Sequence, residues 1–568
     1  MLLGLALGLT NSAPTARSTQ FVMPPGGFPI CHPLPPQAEV PDSLAAWAKG
    51  ARLFDGLGDL HRAAGTNSRE AQRYFNQGLA WAYGFNHDEA TRSFARAATL
   101  DPNCALCFWG VALAIGPNYN FPLMSSSRGR VAYAAIARAR ALAPAASPVS
   151  EALIGALEKR YPTEAAIGDS NYDQLQRAYA AAMHDVARQF PADDDVQVLT
   201  AEADMGLHAW RLWSLDGKPA PGTDDIEARL ETVMARNPRH AGANHYYIHV
   251  MEASPDPGRA EAAADRLGAL MPGAGHIVHM PAHIYQRIGR YEDVAAVNDR
   301  AARADLAYFG QTAPLDYYAG YTSHNWEFEA FGAAEIGRTA EALAALGHAR
   351  ALISDAELKR QASDGWNTGR IYTFRVRFGE WAQLISMPAP SRDLPGLYGA
   401  WLWSRGYALA ATGRIAEAAA ARADLASHAA AAKPDATIGF NKGADIYAVA
   451  LKLLDARLAE ARHDEKARLA LLRDAVAAED RLAYDEPCDW NVPARPLLGR
   501  ALLENGRYTE AETIYREDLR RRPQNGWSLL GLSQAQKAAG QDVASHETAQ
   551  RFAGIWKTAD IRITASSF

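Results

Sequence analysis

Between residues 42 and about 560 the apolar positions gather into helix-length runs, such as the alanine-rich stretch from Tyr407 to Ala423, and no segment shows the sustained alternation of a half-buried strand. The runs pair across a recurring turn made of glycine, a few polar residues and a glutamate. It stands at Gly84-Phe85-Asn86-His87-Asp88-Glu89-Ala90, Gly289-Arg290-Tyr291-Glu292, Gly337-Arg338-Thr339-Ala340-Glu341, Gly413-Arg414-Ile415-Ala416-Glu417 and Gly506-Arg507-Tyr508-Thr509-Glu510. Glycine there predicts a left-handed residue ending the first helix, and the alanine that usually follows the glutamate lets the second helix pack closely. A proline closes the second helix at Asn237-Pro238, Met271-Pro272, Lys433-Pro434 and Arg522-Pro523. The first clear pair runs from Arg69 to Pro102. The pattern predicts an all-α array of roughly eight to ten helical hairpins.

Two stretches interrupt the rhythm. Trp213-Ser214-Leu215-Asp216-Gly217-Lys218-Pro219-Ala220-Pro221-Gly222-Thr223 is far longer than a repeat turn, and long loops in compact arrays are often functional. The stretch from Phe309 to Glu329, with Tyr317, Tyr318, Tyr321, His324, Asn325 and Trp326, mixes aromatic and polar residues as a pocket wall does. Ahead of the helices, residues 18–41 are rich in proline and glycine and read as an extended arm. Residues 1–17 hold an apolar core and a small-residue tail, the pattern of a secretory signal without its basic start. This slightly favours an exported, periplasmic location over a cytoplasmic one; a frayed, unstructured start is the other reading.

Histidine adds chemistry to the pattern. At about 100° per residue, His245, His249 and Glu252 fall within an arc of about 60° on one helix, and His276, His279 and His283 within a similar arc on the next. The two stripes are in register, since 279 − 245 = 34 and 283 − 249 = 34, and the preceding prolines repeat likewise, 272 − 238 = 34. Thirty-four residues is the tetratricopeptide period. The expected fold is therefore a right-handed tetratricopeptide-type α-solenoid over residues 42–560, with histidine-rich repeats at 239–305. First helices of successive repeats lie side by side in such a solenoid. His245, His249, His279 and His283 would then form a quadrilateral on the concave face, with His276 and Glu252 at its edges. The chain has 16 histidines in 568 residues, so about one is expected in the window 245–283, where five stand.

Hydrophobic residues make up 48%, charged residues 21%, and the net charge is −6, which describes neither a nucleic-acid binder with a basic face nor a disordered acidic chain. After the first few residues no apolar run approaches the roughly 20 residues of a membrane span.

The chain resembles large bacterial tetratricopeptide-repeat proteins. The likeness rests on Phe75-Asn76-Gln77-Gly78-Leu79 with Phe85, Glu89-Ala90, Asp101-Pro102 and Trp109-Gly110, then Gly116-Pro117-Asn118. It continues through Gly242-Ala243-Asn244-His245-Tyr246-Tyr247-Ile248-His249, Pro272-Gly273-Ala274-Gly275-His276, His279-Met280-Pro281-Ala282-His283-Ile284-Tyr285, and Tyr321 with His324-Asn325. The resemblance implies the repeat fold and carries no assigned reaction.

Imidazole suits zinc, copper, iron or nickel, whereas magnesium and calcium prefer oxygen. The HExxH zinc-protease pattern fails because Tyr246 stands where its glutamate would be. Metal ligands are expected from His245, His249, His276, His279 and His283, with Glu252 as a further ligand or a general base and His324 as a ligand or acid. Three ligands and an open position would make a catalytic site, whereas four would look structural. The expected cofactor is a transition metal ion, zinc first for hydrolytic or lyase chemistry, copper or iron for oxidative chemistry. Tyr246, Tyr247, Tyr285 and Trp326 are candidate contacts for a small-molecule substrate; Glu202 and His208 lie on the preceding repeat. The competing reading is a non-catalytic scaffold whose concave groove receives a protein or peptide partner. Cys104-Ala105-Leu106-Cys107 lies in a repeat helix without a thioredoxin-like setting, which points to apolar packing. Cys31 and Cys488 have no assignable partner.

Overall fold

The structure, a computed structural model, describes residues 41–568 apart from 122–123, 166, 169–170, 313–316, 361–364 and 435. The signal-like segment 1–17, Cys31 and all but the last residue of the 18–41 arm lie outside the described residues.

Helices follow one another in packed pairs. After the short α1 (Leu44–Ala48) come α2 (Arg69–Tyr83) with α3 (His87–Leu100), α4 (Ala105–Ile115) with α5 (Ser126–Leu142), and α6 (Pro148–Glu158) with α7 (Tyr172–Gln189). Then come α8 (Asp194–Met205) with α9 (Thr223–Arg236), and α10 (Ala241–Met251) with α11 (Glu261–Leu270). In the next repeat the first helix is split into α12 (Gly275–His279) and α13 (Pro281–Ile288), which face α14 (Tyr291–Phe309). Pro281 has no N–H to give the ladder, and the break falls between His279 and His283. The pair α15 (Tyr317–Glu335) and α16 (Thr339–Leu352) follows, then the short α17 (Asp355–Arg360), α18 (Gly365–Thr368), α19 (Arg370–Arg377) and α20 (Trp381–Ser386). The C-terminal pairs are α21 (Pro395–Ala411) with α22 (Ile415–Ala431), α23 (Gly443–Ala461) with α24 (Glu465–Glu479), α25 (Ala494–Glu504) with α26 (Tyr508–Arg521), and α27 (Gly526–Ala538) with α28 (Asp542–Ile555). Among the described residues the strands are two residues each, Thr437–Ile438 and Asn441–Lys442, in one antiparallel hairpin. The fold is all-α, a tetratricopeptide-type solenoid of helical hairpins. No helix among the described residues is long and apolar enough to cross a membrane.

The turn chemistry explains the boundaries. Gly289, Gly337, Gly413 and Gly506 adopt φ of +84°, +77°, +75° and +72°, the left-handed conformation their position predicts. The first repeat departs from this. Gly84 has φ −93°, and Phe85 takes the left-handed place at φ +54°. Helix starts are capped by side chains, Ser68 accepting from the Ala71 N–H, Asn86 from Glu89 and Asp193 from Val196. The prolines expected to end second helices do so after α9, α11, α22 and α26. Cys104 and Cys107, expected as apolar packing, form a disulfide across the start of α4. One helical turn brings the two sulfurs together.

The solenoid curls until its last hairpins meet its middle. The Trp527 indole N–H donates to the Ala334 carbonyl at 2.9 Å, and the Tyr484 hydroxyl donates to the Glu252 carbonyl at 2.9 Å. The segment between α24 and α25 is thereby laid across the histidine repeats.

At Gly275, where α12 begins, an added Cβ would lie 1.9 Å from Asp305 Oδ1. Asp305 is buried on α14, its other oxygen accepting from Thr322 at 3.2 Å and Asn325 at 2.9 Å. Burial pushes this carboxyl up to about 8. Gly275→Ala is expected to cost about 1–3 kcal/mol by overpacking, read from denaturant unfolding. An unfolded aspartate ionises near ~4, so the stability from the protonated Asp305 is complete in acid and lost as the pH rises toward about 8. The melting temperature of the wild type relative to Asp305→Asn should fall from about pH 5 to about pH 8. A difference that stays constant over this range would contradict the burial of a protonated carboxyl.

Candidate metal centre

Six histidines from four helical segments come together: His245 and His249 on α10, His276 and His279 on α12, His283 on α13 and His324 on α15. All are between 0% and 4% exposed. Their nitrogens form two groups, His245/His249/His276 and His279/His283/His324, within each of which they lie within 4.8 Å of one another, and His283 also belongs to a third such group with Glu252 and Glu486. The helical period suggested a four-cornered set, whereas the side chains gather by threes. His324, one residue of the aromatic stretch before Trp326, completes the second group.

The outer nitrogens are tied down. His245 Nδ1 is 2.6 Å from the Tyr83 carbonyl, and His279 Nδ1 is 2.6 Å from Asn298 Oδ1. His249 Nδ1 is 3.2 Å from Glu252 Oε1, while His283 Nδ1 is 2.9 Å from Glu252 Oε2 and touches Glu486 Oε2. Every one of these partners is an oxygen acceptor, so each Nδ1 carries a proton, and on the neutral rings of His245, His249 and His279 the Nε2 offers a lone pair, whereas His283 is charged. The Nε2 atoms turn toward one another. His245 Nε2 lies 3.1 Å from His276 Nε2, and His279 Nε2 lies 2.7 Å from His283 Nε2. His249 Nε2 and His324 Nε2 have no hydrogen-bond partner among the described residues, nor has His276 Nδ1.

Burial lowers the affinity of His245, His249, His276, His279 and His324 for a second proton, and neighbouring imidazoles lower it further. His283 differs. Burial opposes its charge too, but the carboxylates of Glu486 and Glu252 outweigh it and hold the ring up to about 10. Burial in turn raises Glu252 and Glu486, each partly offset by His283. The walls are aromatic. Phe85 contacts His245, His249 and His276 at ring separations of 4.6, 5.6 and 5.6 Å, and Tyr321 lies 4.7 Å from His276. Phe85 reaches this position from its left-handed backbone, the kind of local outlier found at functional sites.

Beside the centre lies a cavity of about 2030 Å³. The long Trp213–Thr223 loop singled out by its length lines it up to Ala220, opposite Phe440 and Tyr484. Trp210, at φ +59°, lies between the cavity and the centre, its ring 5.6 Å from His249.

The residues expected as substrate contacts lie away from the cavity. None of Tyr246, Tyr285, Trp326 and the six histidines lines it. Tyr246 packs behind the centre, 5.5 Å from Phe85. Tyr285 and Trp326 each lie two residues beyond a histidine, about 200° round the helix. The Tyr285 hydroxyl therefore donates to Asp265 at 2.7 Å, and Trp326 packs on His348 at 5.0 Å. The Tyr247 hydroxyl likewise donates to Glu231 at 2.5 Å. Glu202 is buried near Arg160. Glu252 stands behind the rings of His249 and His283, touching their outer nitrogens. Glu486, Asn298 and Phe85 carried no signal as site residues. The α24–α25 connection, from 480 to 493, is as long as the loop flagged before α9, and its length was the available clue to Glu486.

The fold and the cluster define a class: an α-solenoid enclosing a buried polyhistidine centre. No family model matches the chain, and no curated protein matches it. The human IFIT1 dimer solved with m7Gppp-AAAA aligns at 11% identity over 90% of this chain and 99% of that one, with a TM-score of 0.30. The crystal structure of yeast Tom70 aligns at 11% identity over 85% of this chain and 93% of that one, with a TM-score of 0.27. Likeness at this level carries no argument about the site.

Glu486→Ala would leave the buried His283 charge with Glu252 alone. It is expected to lower the unfolding free energy by about 3 kcal/mol, at the low end for a broken buried pair. Chemical denaturation measures this, and an unchanged midpoint would show that the Glu486 contact holds nothing.

Proposed function

We propose that the chain is a metal-dependent enzyme whose histidine centre binds a first-row transition ion and acts on a small substrate entering through the adjoining cavity. The observation that carries this reading is the anchoring of His245, His249, His279 and His283 through Nδ1 onto oxygen acceptors, with Nε2 turned inward. Histidines that ligate metals are oriented in this way, because the outer hydrogen bond fixes the tautomer and raises the basicity of the ligating nitrogen. Imidazole donors select zinc, copper, iron or nickel. With three imidazoles and an open position, zinc supplies Lewis acidity for hydrolytic or lyase chemistry, and copper or iron supplies electron transfer for an oxidative reaction. Glu252 then acts as a positioning group for two ligands, and Trp210 controls access from the cavity.

A scaffold groove for a peptide would present its side chains to the partner. These histidines are at most 4% exposed, which favours the metal reading. The likeness to bacterial repeat proteins with histidine-rich helices belongs to the proposal, as do the division into a 1–17 signal, an 18–41 arm and a 42–560 solenoid, and a periplasmic location. The disulfide at Cys104 and Cys107 suits an oxidising compartment.

Protein purified without a histidine tag should carry stoichiometric metal by plasma mass spectrometry. The His249→Ala/His283→Ala variant should retain less than about a tenth of it. Wild type that stays metal-free after incubation with zinc, copper and iron would sink the reading. Trp210→Ala is expected to speed metal loss to a chelator by about tenfold or more at unchanged stoichiometry. Equal rates would remove Trp210 from the access route.

A further inference from the structure

The two histidine groups are copies of one arrangement. In the first, His245 lies 4.9 Å from His249 and 5.0 Å from His276 by ring centroid, and those two are 6.1 Å apart. In the second, His279 lies 4.7 Å from His283 and 4.9 Å from His324, and those two are 6.2 Å apart. His245 and His279 are the hubs, and they are equivalent residues of successive repeats, 279 − 245 = 34. So are His249 and His283, 283 − 249 = 34. The third histidine comes each time from the first helix of the following repeat, His276 on α12 and His324 on α15.

The surroundings repeat as well. Each hub fixes its Nδ1 on an oxygen acceptor, Tyr83 O for one and Asn298 Oδ1 for the other, both at 2.6 Å. Each group contains one close Nε2 pair and one histidine whose Nε2 has no partner among the described residues, though the members differ: His245 pairs with His276 at 3.1 Å and leaves His249, while His279 pairs with His283 at 2.7 Å and leaves His324. Each is covered by one phenylalanine that touches all three rings. Phe85 does so at 4.6–5.6 Å, and Phe328 lies 5.3, 5.2 and 5.5 Å from His279, His283 and His324.

A zinc–nitrogen bond is about 2.0–2.1 Å, so two donors of one ion lie at most about 4.2 Å apart. The close Nε2 pairs meet that condition inside each group. The groups share no residue, and they abut, with His276 and His279 5.9 Å apart and His249 and His283 6.1 Å apart.

We propose that the centre is binuclear, with one first-row transition ion held by His245, His249 and His276 and a second by His279, His283 and His324. The proposal rests on the metal reading above and adds the number of ions and their separate ligand sets. Two adjoining ions clamp both ends of one polarised bond, which suits hydrolysis of a phosphoryl or acyl substrate, or a two-electron oxidation when the metal is redox-active. His276 and His324 are the members that distinguish the two sites, since neither has a histidine counterpart at the 34-residue spacing.

The test uses the full chain, stripped by chelation and titrated with zinc(II) or copper(II), with bound metal counted after gel filtration. Wild type should bind two equivalents. His276→Gln and His324→Gln should each bind one, with circular dichroism and melting showing that both variants fold. Copper(II) in the wild type should give an electron paramagnetic resonance signal well below two spins, because neighbouring ions couple, while each variant should give close to one full spin. A single equivalent in folded wild type, lost in both variants, would overturn the binuclear assignment and leave a one-ion centre. Two equivalents with two independent spins would also overturn it. No metal at all would overturn this inference and the proposed function together.

Discussion

The site depends on one constraint: a buried neutral imidazole has a donor and an acceptor nitrogen, and the group bonded to one determines what the other can do. Tyr83 O, Asn298 Oδ1, Glu252 and Glu486 occupy the Nδ1 positions of four rings. With those protons committed outward, the Nε2 atoms of the neutral rings His245, His249 and His279 turn lone pairs inward in an aromatic enclosure. The Nε2 pairs at 2.7 and 3.1 Å are hydrogen bonds, each with one proton between the two rings. Burial keeps a second proton off five of the six rings. His283 is the exception, and there two carboxylates hold positive charge next to the second group. The negative groups of the centre are thus stacked behind His249 and His283.

The solenoid makes this possible at little structural cost. A repeat places equivalent side chains next to each other, so one helix face that carries histidine at i and i+4 becomes a row when the next repeat copies it. The fold contributes more than periodicity. Curling the C-terminal hairpins back onto the middle brings Glu486 to His283 and Tyr484 to the Glu252 carbonyl. The same curl bounds a large cavity with the loop before α9, the short β hairpin and the α24–α25 connection. Irregular segments supply the walls, and regular helices hold the histidines.

Much of this was legible in the sequence. Glycine turns at Gly289, Gly337, Gly413 and Gly506, the closing prolines and the 34-residue register gave the hairpins and placed His245, His249, His279 and His283 together. The loop from Trp213 was singled out by length alone, and it does line the cavity. Other features follow from how the repeats are rotated and closed, which a linear period does not contain. Helical spacing suggested a four-cornered set; the rotation between repeats and the break at Pro281 divide it, with His276 and His324 as third members. Tyr285 and Trp326 each stand two residues beyond a histidine, and two residues on a helix turn a side chain to the far face. Phe85 takes a left-handed backbone that the preceding glycine seemed to reserve for itself. Glu486 is brought in by closure across 486 − 283 = 203 residues, beyond the reach of any local pattern.

The central claim is that Nε2 atoms fixed from behind converge on metal ions. The most direct measurement is a crystal structure of protein purified without chelator, with anomalous difference maps recorded on both sides of the zinc, copper and iron edges. The account predicts edge-specific peaks about 2.0–2.1 Å from the Nε2 atoms of His249 and His283, with Glu252 retained on their Nδ1 side. Maps without a peak after metal loading, or a peak held by Glu252 and Glu486 with the Nε2 atoms turned away, would contradict it.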